Sequence, residues 1–245
     1  MEFRAYCQSL IRDIPHSLME RMRQHAEFFD VGCWQKPAGI EQIREKPAIW
    51  WIPDFLTDQE CEHLQTIARD KLEPSRVVDN ATGDPTVKQY RTSSHLFLPL
   101  HHDAVVARLE AKIACLLQIP FEYGDGFQIL NYLPGQEYKP HHDYFYPDKP
   151  SGKKALQISG QRVLTMLLYL NTVEQGGETA FPELGITLPP KRGHALLFGN
   201  LHPDGSPDPE TLHASLPVIA GEKWVATKWI HELSYLHSLG LLKPE

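Results

Sequence analysis

The tripeptide His141-His142-Asp143 places two imidazoles and a carboxylate within three residues, and both groups are metal ligands. Pro140 disfavours helix only for Lys139, so the segment after it is free to be extended. In an extended segment residues two apart point the same way, so His141 and Asp143 would face one ion while His142 faces away. One His, one carboxylate and a distant second His form the facial triad that holds non-haem Fe(II), with positions left open for a co-substrate and O2. The second imidazole must come from elsewhere in the chain, and His194, His202, His213, His231 and His237 are all available. His101-His102-Asp103 repeats the tripeptide. There, however, Asp103 directly precedes the apolar stripe Val105, Val106, Leu109, Ile113, Leu116 and Leu117, where an Asp is a natural helix N-cap. This copy reads as structural.

A second signal lies near the end of the chain. His213 opens a predicted strand, and Lys223 stands ten residues later at the start of the next. In KWVATKWIHE (223–232), period two puts Lys223, Val225, Thr227, Trp229 and His231 on one face, and Trp224, Ala226, Lys228 and Ile230 on the other. The first set does not look like a core face. A buried Lys is costly unless it meets an anion, so this face reads as the wall of a cavity that receives a carboxylate. Cys7, Cys33, Cys61 and Cys115 show no zinc-like or C-x-x-C spacing, which excludes a structural zinc site or redox pair and suits a reducing compartment.

These residues need a scaffold. The 245 residues fit one large domain with an arm, and 42 % hydrophobic against 22 % charged residues marks a globular chain. A net charge of −7 argues against a general nucleic-acid or acidic-membrane binder. No apolar stretch approaches the ~20 residues of a membrane span, and the opening MEFRAYCQSLIRDIPHSL lacks the apolar run of a signal peptide, so a cytoplasmic protein is expected. Tyr6, Leu10, Ile14 and Leu18 recur at a helical interval, which predicts a helical arm over residues 1–46. From residue 47 strands dominate. AIWW (48–51) is a short strand, Thr57 and Glu60 form a capping box opening a helix to about Lys71, and HLFLPL is a strand. FQILNY (127–132), VLTMLLYL (163–170), ETAF (178–181), GITL (185–188), HALLF (194–198), HASLPV (213–218) and KWVATKWIHE follow, punctuated by Pro134-Gly135, Gly176-Gly177 and Pro189-Pro190. Many short strands with frequent turns predict a sandwich or double-sheet jelly roll with helices packed on one side.

The runs ILNYLPGQEYKPHHDYF, QRVLTMLLYLNTVEQGGETAFP and LHASLPVIAGEKWVATKWIHE together resemble the prolyl 4-hydroxylases, which are Fe(II)- and 2-oxoglutarate-dependent dioxygenases. The similarity extends through WWIPDFLTDQECEHL and YRTSSHLFL and covers about residues 47–235. The resemblance implies an α+β fold, a double-stranded β-helix (jelly roll) with supporting helices on one sheet, in a catalytic domain over residues 47–245. It implies that His141, Asp143 and His213 hold Fe(2+) and that Lys223 pairs with the distal carboxylate of 2-oxoglutarate, with Tyr132 and Thr179 hydrogen-bonding the same co-substrate. Arg91, Tyr138, Arg162, Trp229 and His231 match peptide-contacting positions, and the loop 78–88 matches a mobile flap.

The implied reaction uses 2-oxoglutarate, O2 and L-ascorbate to turn peptidyl proline into 4-hydroxyproline, with release of succinate and CO2; the partner is a proline-containing peptide or protein. Two departures bear on substrate preference: Asp125 stands where relatives often carry Glu, and segment 147–160 differs in length. Two other function classes compete. One is an oxygenase of the same chemistry acting on another side chain or a small molecule, and the other is a non-catalytic module for Pro-rich segments. A zinc hydrolase fits poorly, because no Glu base neighbours the H-x-D pair.

Overall fold

Strands apolar on both faces need a packed layer on each side, and that requirement sets the architecture. The computed structural model describes residue 7 and residues 39–75, 77–78, 85–86 and 90–234. In chain order the elements are β1 (Glu41–Arg44), β2 (Ile49–Ile52), α1 (Asp58–Arg69), β3 (Glu73–Pro74), β4 (Val77–Val78), β5 (Pro85–Thr86), β6 (Ser94–Leu98) and α2 (Ala104–Leu117). Then come β7 (Phe127–Tyr132), β8 (Tyr138–His141), α3 (Pro150–Ser159), β9 (Arg162–Tyr169), β10 (Gln175–Gly176), β11 (Thr179–Phe181) and β12 (Ile186–Leu188). The last are β13 (Ala195–Gly199), β14 (His213–Ser215), β15 (Val218–Ala220) and β16 (Lys223–His231).

An eight-stranded sheet runs β1-β2-β13-β9-β16-β7-β6-β3, and a four-stranded sheet runs β12-β11-β14-β8. Successive residues of the large sheet serve different layers. Ile129, Leu197 and Ala226 join Leu64, Val106, Leu109 and Ile113 of the two long helices in one core cluster. Their neighbours Leu130, Leu196 and Val225 join Phe181 of the small sheet in a second. The result is the expected double-stranded β-helix with helices on one face. Both helix starts are closed as the sequence indicates. Thr57 Oγ1 accepts from Glu60 N–H at 3.2 Å while Glu60 Oε2 accepts from Thr57 N–H at 2.8 Å. Asp103 Oδ1 accepts from Val105 and Val106 N–H at 2.8 and 2.9 Å, and its other oxygen meets His63 Nε2 at 2.8 Å. The second H-H-D tripeptide is thus a helix cap.

Some boundaries differ from expectation. The large sheet starts at Glu41, so a domain edge after residue 46 would cut the β1–β2 hairpin. The polar EQIR of an edge strand carries no apolar alternation to reveal it. Cys7 is fully buried in the same core as Trp50, while the rest of the expected arm up to residue 38 lies outside the described residues. Of the flap 78–88, the β4–β5 pairing is described, Val78 opposite Pro85, and the remainder is not. The segment 147–160 holds α3, with Pro150 in its first turn and Gly160 at its end. Pro140 disguises β8 in the sequence, but as an exposed edge residue it needs no ladder N–H.

One residue on the helix-facing side of β16 is not apolar. Lys228 is 1 % exposed, and its Nζ donates to Glu110 Oε1 of α2 at 3.1 Å. Gly124 makes room for it, since a Cβ there would sit 2.6 Å from Lys228 Cε. Removing one member of such a pair leaves the other charge buried and alone. Glu110→Leu should therefore cost about 3–5 kcal/mol in urea denaturation, and Lys228→Met added to it should restore most of that loss.

Candidate active site

The four-stranded sheet supplies two imidazoles from paired strands. His141 ends β8, His213 begins β14, and the two are register partners. In each, Nδ1 faces a backbone carbonyl two residues earlier, Lys139 O at 2.9 Å and Thr211 O at 3.0 Å. Nδ1–H therefore donates there, and the Nε2 lone pair is free. Asp143 lies just past the end of β8 and closes the group. Its Oδ1 is 3.6 Å from His141 Nε2, and its Oδ2 is 3.6 Å from His213 Nε2. Ligand atoms from the three residues all lie within 4.8 Å of one another. Period two put His141 and Asp143 on one side, and they do converge, although the strand ends at His141 and the chain bends to bring Asp143 in.

Burial, with His213 alongside, depresses the His141 imidazole below its usual range and keeps it neutral. Burial alone would raise the Asp143 carboxyl. His213, His141 and Arg162, with the Trp229 N–H bond, outweigh it and hold the group well below the ordinary carboxylate range. Two imidazoles that present Nε2 and one ionised carboxylate are the donor set that suits Fe(II). His142 is excluded by its own bonds, Nδ1 to Tyr146 Oη at 2.9 Å and Nε2 to Pro209 O at 3.0 Å. Among the other candidates, His194 packs on Trp51, His202 pairs with Asp208 and His231 with Asp125; His237 lies outside the described residues.

A cavity opens above this cluster between the two sheets. Arg91, Tyr132, Tyr138, Thr179, Lys223 and Trp229 line it together with His141, Asp143 and His213. Lys223 is 2 % exposed. Its Nζ donates to Ser215 Oγ at 2.8 Å and faces the rings of Tyr132 and Tyr169 at 5.5 and 5.9 Å. No described carboxylate forms an ion pair with it. Burial pushes its pKa down to about 7, and Glu178 counters only weakly. An ammonium in this position is waiting for an anion. Thr179 Oγ1 is shared with Tyr169 Oη at 2.9 Å.

Sequence reasoning missed Ser215 and Tyr169. Ser215 was findable, because it sits two residues after His213 on the same face; Tyr169 was not, since it reads as one more core residue of β9. Arg162 and His231 stand outside the cavity lining, behind Trp229. The Arg162 guanidinium stacks 4.0 Å over the Trp229 ring and lies 3.7 Å from Asp125, which also meets His231 Nε2 at 3.1 Å. His231 is the last residue of β16 and pairs with Arg162, so it lies farther along the strand than Trp229 and outside the lining.

Residues 127–231 match the model of the 2OG-Fe(II) oxygenase superfamily. Over 218 residues the chain is 44 % identical to the probable prolyl 4-hydroxylase 6 of Arabidopsis thaliana, covering 81 % of this chain and 74 % of that protein. The chain belongs to the prolyl 4-hydroxylase family. A second Arabidopsis relative, the probable prolyl 4-hydroxylase 7, is 40 % identical, covering 81 % of this chain and 67 % of its own length. Among solved structures, the viral collagen prolyl hydroxylase of Paramecium bursaria Chlorella virus 1 in complex with 2-oxoglutarate superposes with a TM-score of 0.59 at 28 % identity, covering 76 % of this chain and 96 % of that one. As a prolyl 4-hydroxylase family member, the protein is a 2-oxoglutarate-dependent dioxygenase whose reaction uses Fe(II), 2-oxoglutarate and O2. The donor set separates the adjacent histidines sharply: titrated with Co(II), His141→Ala should lose more than about tenfold in affinity, while His142→Ala should bind as wild type.

Proposed function

We propose that this protein hydroxylates peptidyl proline at C4, with His141, Asp143 and His213 as the iron ligands and Lys223 as the anchor for the distal carboxylate of 2-oxoglutarate. The observation that carries the assignment is the unpaired Lys223 ammonium in the same cavity as the His-Asp-His cluster. Metal and dianion are then received at one place. Bound Fe(II) supplies the activation of O2, so that one oxygen atom enters succinate as CO2 leaves and the other becomes the hydroxyl. The chain's own residues orient the reactants. Ser215 aims the Lys223 ammonium, and Tyr132 and Thr179 border the co-substrate. The two-sheet interior keeps water away from the charged contact, which strengthens it.

The peptide side of the reading rests on unsatisfied donors. The Nε atoms of Arg91 and Arg162 are buried without a hydrogen-bond partner, and both guanidinium groups are flattened against aromatic rings, Arg91 over Tyr138 at 4.7 Å and Arg162 over Trp229. A proline-rich segment in polyproline II form offers free carbonyls and apolar rings, the complement of such a groove. His231 would act through Asp125 at the far side of Trp229. L-Ascorbate belongs to the same proposal, as the reductant that keeps the iron as Fe(II). The buried thiols of Cys7 and Cys61 support a reducing, cytoplasmic setting.

Mass spectrometry of proline-containing peptides incubated with Fe(II), 2-oxoglutarate and ascorbate tests the reaction. One added oxygen mapped to proline is the expected product, and oxygen on another residue would move the substrate class. A pH titration tests the anchor. With its pKa at about 7 instead of the usual 10.5, Lys223 is progressively neutral above pH 7 in the ligand-free protein. The KM for 2-oxoglutarate should then rise by up to about tenfold per pH unit above that point, as expected for a binding group that must be charged. Without co-substrate the linkage has the opposite sense. The unfolded chain holds a proton that the folded chain lacks between about pH 7 and 10.5, so this group adds stability as pH rises through that window.

A further inference from the structure

Asp143 is held by more than its two imidazole neighbours. Its Oδ2 accepts from Trp229 Nε1 at 2.9 Å and from Thr165 Oγ1 at 2.8 Å. Thr165 and Trp229 are directly opposed register partners on β9 and β16, so the two donors reach one oxygen from adjacent strands. Thr165 Oγ1 in turn accepts from Asn200 Nδ2 at 3.0 Å. Asn200 follows β13 and is fixed on both sides by its backbone, donating to Val163 O at 3.0 Å and accepting from Asp208 N–H at 3.1 Å. Because Asn200 supplies a proton to the Thr165 oxygen, the Thr165 hydroxyl hydrogen points at Asp143.

Both residues are fully buried at 0 % exposure, beside the buried Val163, Leu164 and Met166 of β9. Asn200 Oδ1 has no hydrogen-bond partner there. Burying an amide with one end unsatisfied costs free energy that a leucine in the same place would not, so packing alone does not account for the pair.

We propose that Asn200 and Thr165 are positioning residues for the metal site. They act through Asp143: with Oδ2 occupied by two donors, the carboxylate is fixed in rotation and Oδ1 is left as its free oxygen, beside His141 Nε2. A single-oxygen carboxylate keeps more of the ion's positions open for 2-oxoglutarate and O2 than a chelating one does. The inference rests on the His141, Asp143 and His213 reading of the site and deepens it.

The test is Mn(II) binding to the metal-stripped full-length protein, followed by the EPR signal of free Mn(II), with the urea midpoint of each variant measured alongside. Thr165→Val keeps the shape and removes the hydroxyl, and it should weaken Mn(II) binding by about 10–100-fold, the range seen when an outer partner of a ligand is lost, while Thr165→Ser should stay within about threefold of wild type. Asn200→Leu should fall between them and gain stability. In turnover, Thr165→Val should also decarboxylate more 2-oxoglutarate per hydroxylated peptide. A folded Thr165→Val that binds Mn(II) like wild type overturns the proposal. If that variant does not fold, an Asn200→Leu protein with wild-type Mn(II) affinity overturns it equally. Asp143→Ala separates the two readings: should it also bind Mn(II) like wild type, the metal site itself is misassigned.

Discussion

Charged groups have to sit between two apolar sheets here without neutralising one another, and that constraint organises the rest of the structure. Asp143 remains ionised because imidazoles, a guanidinium and hydrogen-bond donors surround it. Lys223 has no described counter-ion, only a hydroxyl and two aromatic rings. An interior can carry such groups only if its walls are rigid and its donors prearranged, since a relaxed cavity would let Lys223 find Glu178 or solvent. The antiparallel ladders supply that rigidity. The large sheet presents Thr165, Lys223 and Trp229 on its inner face, and the small sheet brings His141, His213 and Ser215 opposite them.

A second buried charge shows the contrast. Lys228 lies on the same strand as Lys223, five residues on and on the other face, and there α2 provides Glu110 at 3.1 Å. One lysine is compensated within the protein, and the other meets a hydroxyl and no described carboxylate. Both are buried to a similar degree, so exposure does not distinguish them; only the presence of a carboxylate across the gap does. The same logic separates the two H-H-D tripeptides. Asp103 spends both oxygens on a helix start and on His63, whereas Asp143 has one oxygen free beside two imidazole lone pairs.

Arg162, His231 and Asp125 add a layer behind Trp229. The Arg162 guanidinium stacks on the indole whose N–H reaches Asp143, and its Nη1 lies 3.4 Å from Asp143 O. Residues matched to peptide binding therefore adjoin the metal cluster through one aromatic ring. A peptide seated against Trp229 would contact the same side chain whose N–H bonds Asp143.

Much of this was legible in the amino-acid order. The Thr57 capping box and the Asp103 N-cap, the period-two strands from β7 onward and the alternation on β16 are local properties, decided by neighbours along the chain. So was the likeness to the prolyl 4-hydroxylases, because H-x-D, a distal His and a Lys ten residues on occur together. β1, β8 and α3 escaped, being edge or surface elements whose polar residues carry no burial pattern. What only the tertiary structure decided is which polar residues meet. Thr165 and Asn200, separated by 35 residues, read as ordinary members of apolar strands until β9 and β13 pair and bring them to Asp143. Whether Lys223 or Lys228 has a counter-ion depends on α2, more than a hundred residues earlier. Periodicity specifies the face a side chain leaves from, but hydrogen bonds and ion pairs act over about 3 Å, and only the packed fold sets which groups come that close.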